Sequence, residues 1–296
     1  MKQHFQCQVQ QLTTVEQVIS YRVYHNRYQP NGRRLLLLHG AGVAGEFTWG
    51  YMLEHLDHWS EILVPDLRGM GATQYPDQLE HTYSAEEVLG DVISLLDHLG
   101  WWAVDLGGYS FGGLICMLFK QLHPSRVHKQ FLLEPALLDR FSMDEVVALR
   151  DRYSQAAQML RQQRDPEQGI KVFLDTISPN RIPSPKSEQM IIERLGHRAE
   201  GFANALDAVS DASRRLDRGQ VLAAQQHVSC FIGGRSVDAM HQYHQYLAHE
   251  RDDWDVHSVR GCDHSLPFQK PRQIAQQINT DMAQYLARKP IDSHYQ

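Results

Sequence analysis

The four cysteines of this 296-residue chain, Cys7, Cys116, Cys230 and Cys262, lie far apart and form no C-x-x-C pair. That spacing excludes a zinc knuckle and a thioredoxin-like redox motif, and the thiols read as reduced core side chains. No H-E-x-x-H run and no clustered acidic partner accompany the 17 histidines. His241 with His244, and His55 with His58, share helical faces but read as solvated ones, so no metal and no other cofactor is expected. Positive charge is not in surplus: 29 Lys and Arg face 35 Asp and Glu, a net charge of −6, which argues against nucleic acid or an anionic membrane as a partner. No run approaches the roughly 20 apolar residues of a membrane span. The opening residues, Met1 to Gln6, lack the apolar stretch of a signal peptide, so a cytoplasmic location is expected. Repeats and low-complexity tracts are also missing. With 42% hydrophobic and 22% charged residues, the chain reads as a globular protein acting on a small neutral or weakly charged molecule, its oligomeric state open.

What is present is alternation. Strands are expected at residues 5–12, 17–25 and 34–39, the third containing Leu35, Leu36, Leu37 and Leu38, an unbroken apolar run suited to a strand buried on both faces. Helix 47–58 then precedes strand 61–65, helix 84–99 precedes strand 103–107, and helix 111–123 precedes strand 128–133. Strand, helix, strand at this spacing describes a doubly wound, mostly parallel sheet. After Glu134 and Pro135 only helical patterns follow, at 144–164, 167–176, 186–195 and 200–215, with Asp165, Pro166 and Glu167 reading as a helix start. Alternation resumes with strand 228–232, helix 238–249, strand 254–259 and a last helix at 271–286. The expectation is an α/β domain of residues 1–136 and 226–296 with a helical insertion, 137–225, placed over the carboxyl edge of the sheet, where open α/β sheets bind ligands.

Between strand and helix stands Gly108-Tyr109-Ser110-Phe111-Gly112, a G-x-S-x-G run followed by Gly113. Glycines flank the serine where a sharp strand-to-helix turn leaves no room for Cβ atoms, and such a turn pushes the serine Oγ into a cleft. A second glycine pattern, Gly40-Ala41-Gly42-Val43-Ala44-Gly45 with Asp66 following, satisfies the dinucleotide fingerprint G-x-G-x-x-G. That reading, an NAD(P)-dependent oxidoreductase, leaves Ser110 and the His39-Gly40 pair unexplained.

With these residues the chain resembles the α/β-hydrolase superfamily, in particular its capped esterase, lipase and carbon–carbon hydrolase branch, from about Leu35 to Leu286. The resemblance implies an α/β-hydrolase fold, a sheet of about eight strands with an inserted helical cap. It makes Ser110 the nucleophile and His264, in Gly261-Cys262-Asp263-His264, the base. The backbone N–H groups of Ala41 and Phe111 become the oxyanion hole. Asp66-Leu67-Arg68-Gly69-Met70-Gly71 looks like the family's D-x-R-G-x-G turn and reads as scaffolding.

The triad acid is open. The family pattern G-x-x-D after strand 228–232 is met one residue late by Gly234-Arg235-Ser236-Val237-Asp238, so Asp238 is the first candidate. Glu134, at the end of strand 128–133, is the second. Asp263 ranks third because neighbouring side chains in an extended loop point apart. Phe47, Trp49, Tyr109, Phe111, Phe141, Met143 and Met159 are candidates to line an acyl pocket, although core packing would use the same residue types. The implied activity is serine-dependent cleavage of a small or medium carboxylic ester. The same fold also serves carbon–carbon hydrolases, thioesterases, lyases and ligand receptors.

Overall fold

The computed structural model describes residues 4–162 and 166–288. In chain order its elements are β1 (Phe5–Thr13), β2 (Val18–Asn26), β3 (Arg34–Leu38), α1 (Gly45–Leu53), β4 (Glu61–Pro65), α2 (Ala85–His98), β5 (Val104–Tyr109), α3 (Phe111–Leu122) and β6 (Val127–Leu133). Five helices follow: α4 (Met143–Gln162), α5 (Glu167–Ile177), α6 (Pro185–Gly196), α7 (Ala199–Arg215) and α8 (Arg218–Ala223). The chain then returns through β7 (Val228–Gly233), α9 (Asp238–Glu250), β8 (Trp254–Val259), α10 (Leu266–Gln269) and α11 (Pro271–Arg288). All eight strands join one sheet in the order β1-β2-β4-β3-β5-β6-β7-β8. The first two strands run antiparallel to their neighbours and the remaining six are parallel.

The apolar run of β3 is explained by the pleat. Leu36 and Leu38 pack into the core beneath α2, α3 and α9, whereas Leu35 and Leu37 face the opposite layer under α1 and α11. Side chains alternate across a strand, so a central strand covered on both sides needs apolar residues at every position. The helical block between β6 and β7 has a smaller core of its own, built on Ala156, Leu160, Ile170 and Phe202. One face of α7, with Ala205, Ala208, Val209 and Ala212, belongs to the main core instead. The block is therefore tied to the sheet layer by shared packing.

Several details depart from the sequence-based expectations. β5 runs two residues further than expected, to Tyr109, and short helices α8 and α10 were not anticipated. The proposed helix start at Asp165 falls outside the described residues. Cys7 is exposed on the edge strand, while Cys116, Cys230 and Cys262 are buried and free. His244 does not lie on a solvated face: it is fully buried on α9. Its Nε2–H donates to the Leu138 carbonyl at 3.1 Å, and its Nδ1 lies 3.4 Å from the Cys230 thiol. Among the described residues no group of three or more His, Cys, Asp or Glu side chains could hold a metal ion, and no helix is long and apolar enough to cross a membrane.

Burial pushes the His244 pKa down to about 4. The unfolded chain, with a histidine near 6.5, binds the proton first on acidification, so stability is present above that value and is lost as pH falls toward 4. The expected contribution is roughly 2 kcal/mol between pH 7 and pH 5. Urea unfolding of wild type and His244→Gln at the two pH values checks it: the variant should lose about that much less, and parallel losses would contradict the assignment.

Candidate active site

The turn joining β5 to α3 places Ser110 at φ 51° and ψ −111°, a conformation that non-glycine residues adopt only when their surroundings enforce it. The enforcement is visible. The Ser110 N–H donates to the Leu133 carbonyl, and the Ser110 carbonyl accepts from the Leu114 and Ala136 N–H groups. A Cβ on Gly112 would stand 2.3 Å from the Leu38 carbonyl oxygen, and one on Gly113 would stand 2.7 Å from Pro135. The glycines thus let α3 close onto β3 and onto the chain leaving β6, and Ser110 is left facing a cavity of about 370 Å³.

His264 lies in the loop between β8 and α10, on the wall of the same cavity. Gly233 allows that loop to approach, since a Cβ there would meet the Asp263 carbonyl at 2.5 Å. The Nδ1 of His264 is 2.6 Å from Glu134 Oε2. The other oxygen of Glu134 accepts the Gly233 N–H at 2.7 Å and the Ser236 hydroxyl. Glu134 is buried, at φ 42°, where the chain turns off β6. Its carboxylate is therefore held by three donors, of which the imidazole is one. The Nε2 of His264 has no hydrogen-bond partner among the described residues and is left for the cavity.

Asp238, the first-ranked acid by sequence, is not at this position. It is the first residue of α9 and exposed to solvent. The place expected for it near His264 is served by Ser236, which donates to Glu134 rather than acting on the histidine. Asp263 is also engaged elsewhere, accepting from the Ser265 N–H and the Gln269 amide.

The His39-Gly40 pair has a structural reading. The Leu67 N–H donates to His39 Nε2 at 2.8 Å, so the proton resides on Nδ1, which donates to the Gly40 carbonyl at 2.8 Å. Burial lowers the His39 pKa and keeps the ring neutral. With the Gly40 carbonyl directed at the imidazole, the trans peptide turns the Ala41 N–H the opposite way. The Phe111 N–H, first in α3, has no intrahelical acceptor. Ala41 and Phe111 both line the cavity beside Ser110.

The dinucleotide reading of the same glycines meets an occupied acid. Asp66 is buried and accepts from the N–H groups of Gly45 and Ala72, while a Cβ on Gly42 would strike Phe202 and Leu195 of the helical block. The loop is clamped, with no free carboxylate for a ribose. Arg68 continues this scaffold through ion pairs to Glu16, Glu87 and Asp91.

Of the expected pocket residues, Phe47, Tyr109 and Phe111 line the cavity. Trp49 does not: it is fully buried in the core under α1, one face of the helix away from Phe47. Phe141 is more than half exposed and packs on Tyr243 and Tyr246. Met143 and Met159 also lie off the cavity. Sequence reasoning missed Phe268, which stacks on Phe47 at 5.2 Å, and the cavity-lining Asp139, Arg150 and Tyr153. A signal for Arg150 was available: it stands on the buried stripe Val146, Leu149, Tyr153, Ala157 of α4, an apolar face that carries a charge only for a reason.

A model described as the alpha/beta hydrolase family matches residues 35–277. The chain belongs to the alpha/beta hydrolase family. Among curated relatives, a 2-hydroxy-6-oxo-2,4-heptadienoate hydrolase of Pseudomonas putida is 32% identical over 34% of this chain and 37% of its own. Epoxide hydrolase 2 of Siraitia grosvenorii is 34% identical over 33% of this chain and 30% of its own. The matched stretch thus spans about a third of each relative. Over nearly the full length, a solved carboxylesterase structure from Nitrososphaera gargenis has the same fold, with a TM-score of 0.73 at 16% identity, covering 95% of this chain and 99% of that one.

A methyl at Gly112 must displace β3 or open the elbow. Gly112→Ala should lower the thermal midpoint. Gly90→Ala, at an exposed helical position with nothing within 4 Å, should instead gain about 0.5–1 kcal/mol. Comparing melting curves of the two variants tests whether space at the turn is the limiting factor.

Proposed function

We propose that the chain is a serine hydrolase that cleaves a small or medium carboxylic ester through an acyl-enzyme, with residues 137–225 as its cap. The observation that supports this most directly is the hydrogen-bonded pair Glu134–His264 on the wall that also carries the strained Ser110. In this reading His264 Nε2 takes the Ser110 hydroxyl proton as the oxygen attacks the ester carbonyl. The Ala41 and Phe111 N–H groups stabilise the oxyanion. Collapse expels the alkoxide, which leaves with the proton from His264, and water activated by the same imidazole then releases the acid. Glu134 holds the tautomer and stabilises the imidazolium.

The nucleophile type discriminates among the activities of the named relatives. A serine oxygen that opened an epoxide would form an ether, which water does not cleave under these conditions, whereas attack on a carbonyl forms an ester that it does. The epoxide reading is therefore disfavoured. Carbon–carbon cleavage next to a ketone also proceeds at a carbonyl, and the Pseudomonas putida relative keeps it as the second reading. The Phe47, Tyr109 and Phe268 rings provide an apolar wall, and the cavity volume is at the small end of ligand sites.

A fluorophosphonate should label wild-type Ser110 and spare Ser110→Ala. With p-nitrophenyl esters of increasing chain length, Ser110→Ala and His264→Ala should each lose on the order of 10⁴-fold in kcat. Glu134→Gln should lose at least a hundredfold, while Asp238→Asn stays within twofold of wild type. The reverse order for the two acids would return the role to Asp238.

A further inference from the structure

The loop that follows β3 has few hydrogen bonds of its own. Of the backbone groups of residues 40–43, only the Gly40 carbonyl and the Gly42 N–H have partners among the described residues, His39 Nδ1 and the Met70 sulfur. Packing supplies the rest, much of it from the helical block. At Gly42, φ 75°, an added Cβ would lie 2.6 Å from Phe202 Cδ2 and 2.8 Å from Leu195 Cδ2. Ala41 and Val43 pack against the same small core that Leu195 and Phe202 help to build. Leu195 also lines the cavity, whereas Phe202 is fully buried and does not line it, so Phe202 touches the loop without meeting a ligand. The helix that carries Phe202 is anchored on both sides of it. Four residues earlier, Arg198 pairs with Glu80 and donates to the Thr73 carbonyl; two residues later, the Asn204 amide donates to the His81 carbonyl at 2.9 Å.

We propose that Phe202 and Leu195 are positioning residues for this loop: by packing against Gly42 they fix the Ala41 N–H beside Ser110, so that the helical block takes part in stabilising the oxyanion. This rests on the serine-hydrolase reading above. A donor in an oxyanion hole must stand about 2.7–3.1 Å from the place where charge develops, and a misplacement of about 1 Å costs on the order of a hundredfold in rate. Two hydrogen bonds, one of them to a weak sulfur acceptor, are a slight restraint for such a tolerance. Glycine at positive φ leaves the backbone a wide choice of conformations, and contact with a side chain on the anchored α7 narrows that choice. The Phe111 N–H needs no such device, because it belongs to α3.

The test compares p-nitrophenyl esters with their thionoester analogues, in which sulfur replaces the carbonyl oxygen, in wild type, Phe202→Leu, Leu195→Ala and Leu160→Ala. Sulfur is larger and accepts hydrogen bonds weakly, so the ester-to-thionoester ratio of kcat/KM reports on the oxyanion donors and is unaffected by loss of folded enzyme. Wild type should favour the ester. In Phe202→Leu and Leu195→Ala the ester kcat/KM should fall by roughly tenfold or more and the thionoester value much less, moving the ratio toward one. Leu195→Ala serves where Phe202→Leu does not fold. Leu160→Ala removes the same side chain from the same small core, where it packs against Gly169 of α5, and should keep the wild-type ratio. Hydrogen exchange of residues 40–45, read without turnover, should quicken by about fivefold or more in the two loop-contact variants and not in Leu160→Ala. A wild-type ratio near one, a ratio unmoved in both variants, or an equal shift in Leu160→Ala would overturn the proposal. Faster exchange in an enzyme that turns over neither ester would sink the hydrolase reading and keep the loop contact; ester turnover with an unmoved ratio would do the opposite.

Discussion

Ser110 can hold its left-handed backbone because the space around it is empty of side chains. Gly108, Gly112 and Gly113 bring α3 within contact of the ends of β3 and β6, and three backbone hydrogen bonds then lock the serine to Leu133, Leu114 and Ala136. The same contacts fix the start of the chain that leaves β6, where Glu134 turns at φ 42°. Ser110 and Glu134 are thus positioned by one packed junction.

His264 comes from a different part of the chain and is brought in by a second close approach, that of its loop to Gly233. Glu134 joins the two junctions, since it accepts from Gly233 N–H at the end of β7 and from His264 beyond β8. Neutral, buried His39 orders the third component, the loop after β3, through hydrogen bonds on both ring nitrogens. Each device uses the carboxyl ends of adjacent parallel strands, which is where the fold leaves room between sheet and helical block.

The helical block contributes more than cover. Its α4 carries an apolar stripe into the small core and interrupts it with Arg150, held against Asp139 at the block's entry. His244, from beneath, accepts no solvent and holds the Leu138 carbonyl of that same entry segment. The segment from Glu134 to Asp139 therefore meets His264, the block and the core within six residues, so perturbing it should be felt in all three.

The order of strands and helices was legible from periodicity, because a sheet covered on both faces writes unbroken apolar runs such as Leu35 to Leu38, and amphipathic helices write their own period. Ser110 and His264 were legible as candidates because a sharp turn requires glycine neighbours and a loop after the last strand is a short, local pattern. Which carboxylate meets His264 was not legible. Asp238 is displaced by the start of α9 and Glu134 is 130 positions from the histidine, a pairing made by strand adjacency that no local spacing encodes. The pocket was likewise decided in three dimensions: Phe47 and Trp49 are two residues apart, and only the packing of α1 against the sheet determines that one faces the cavity and the other the core.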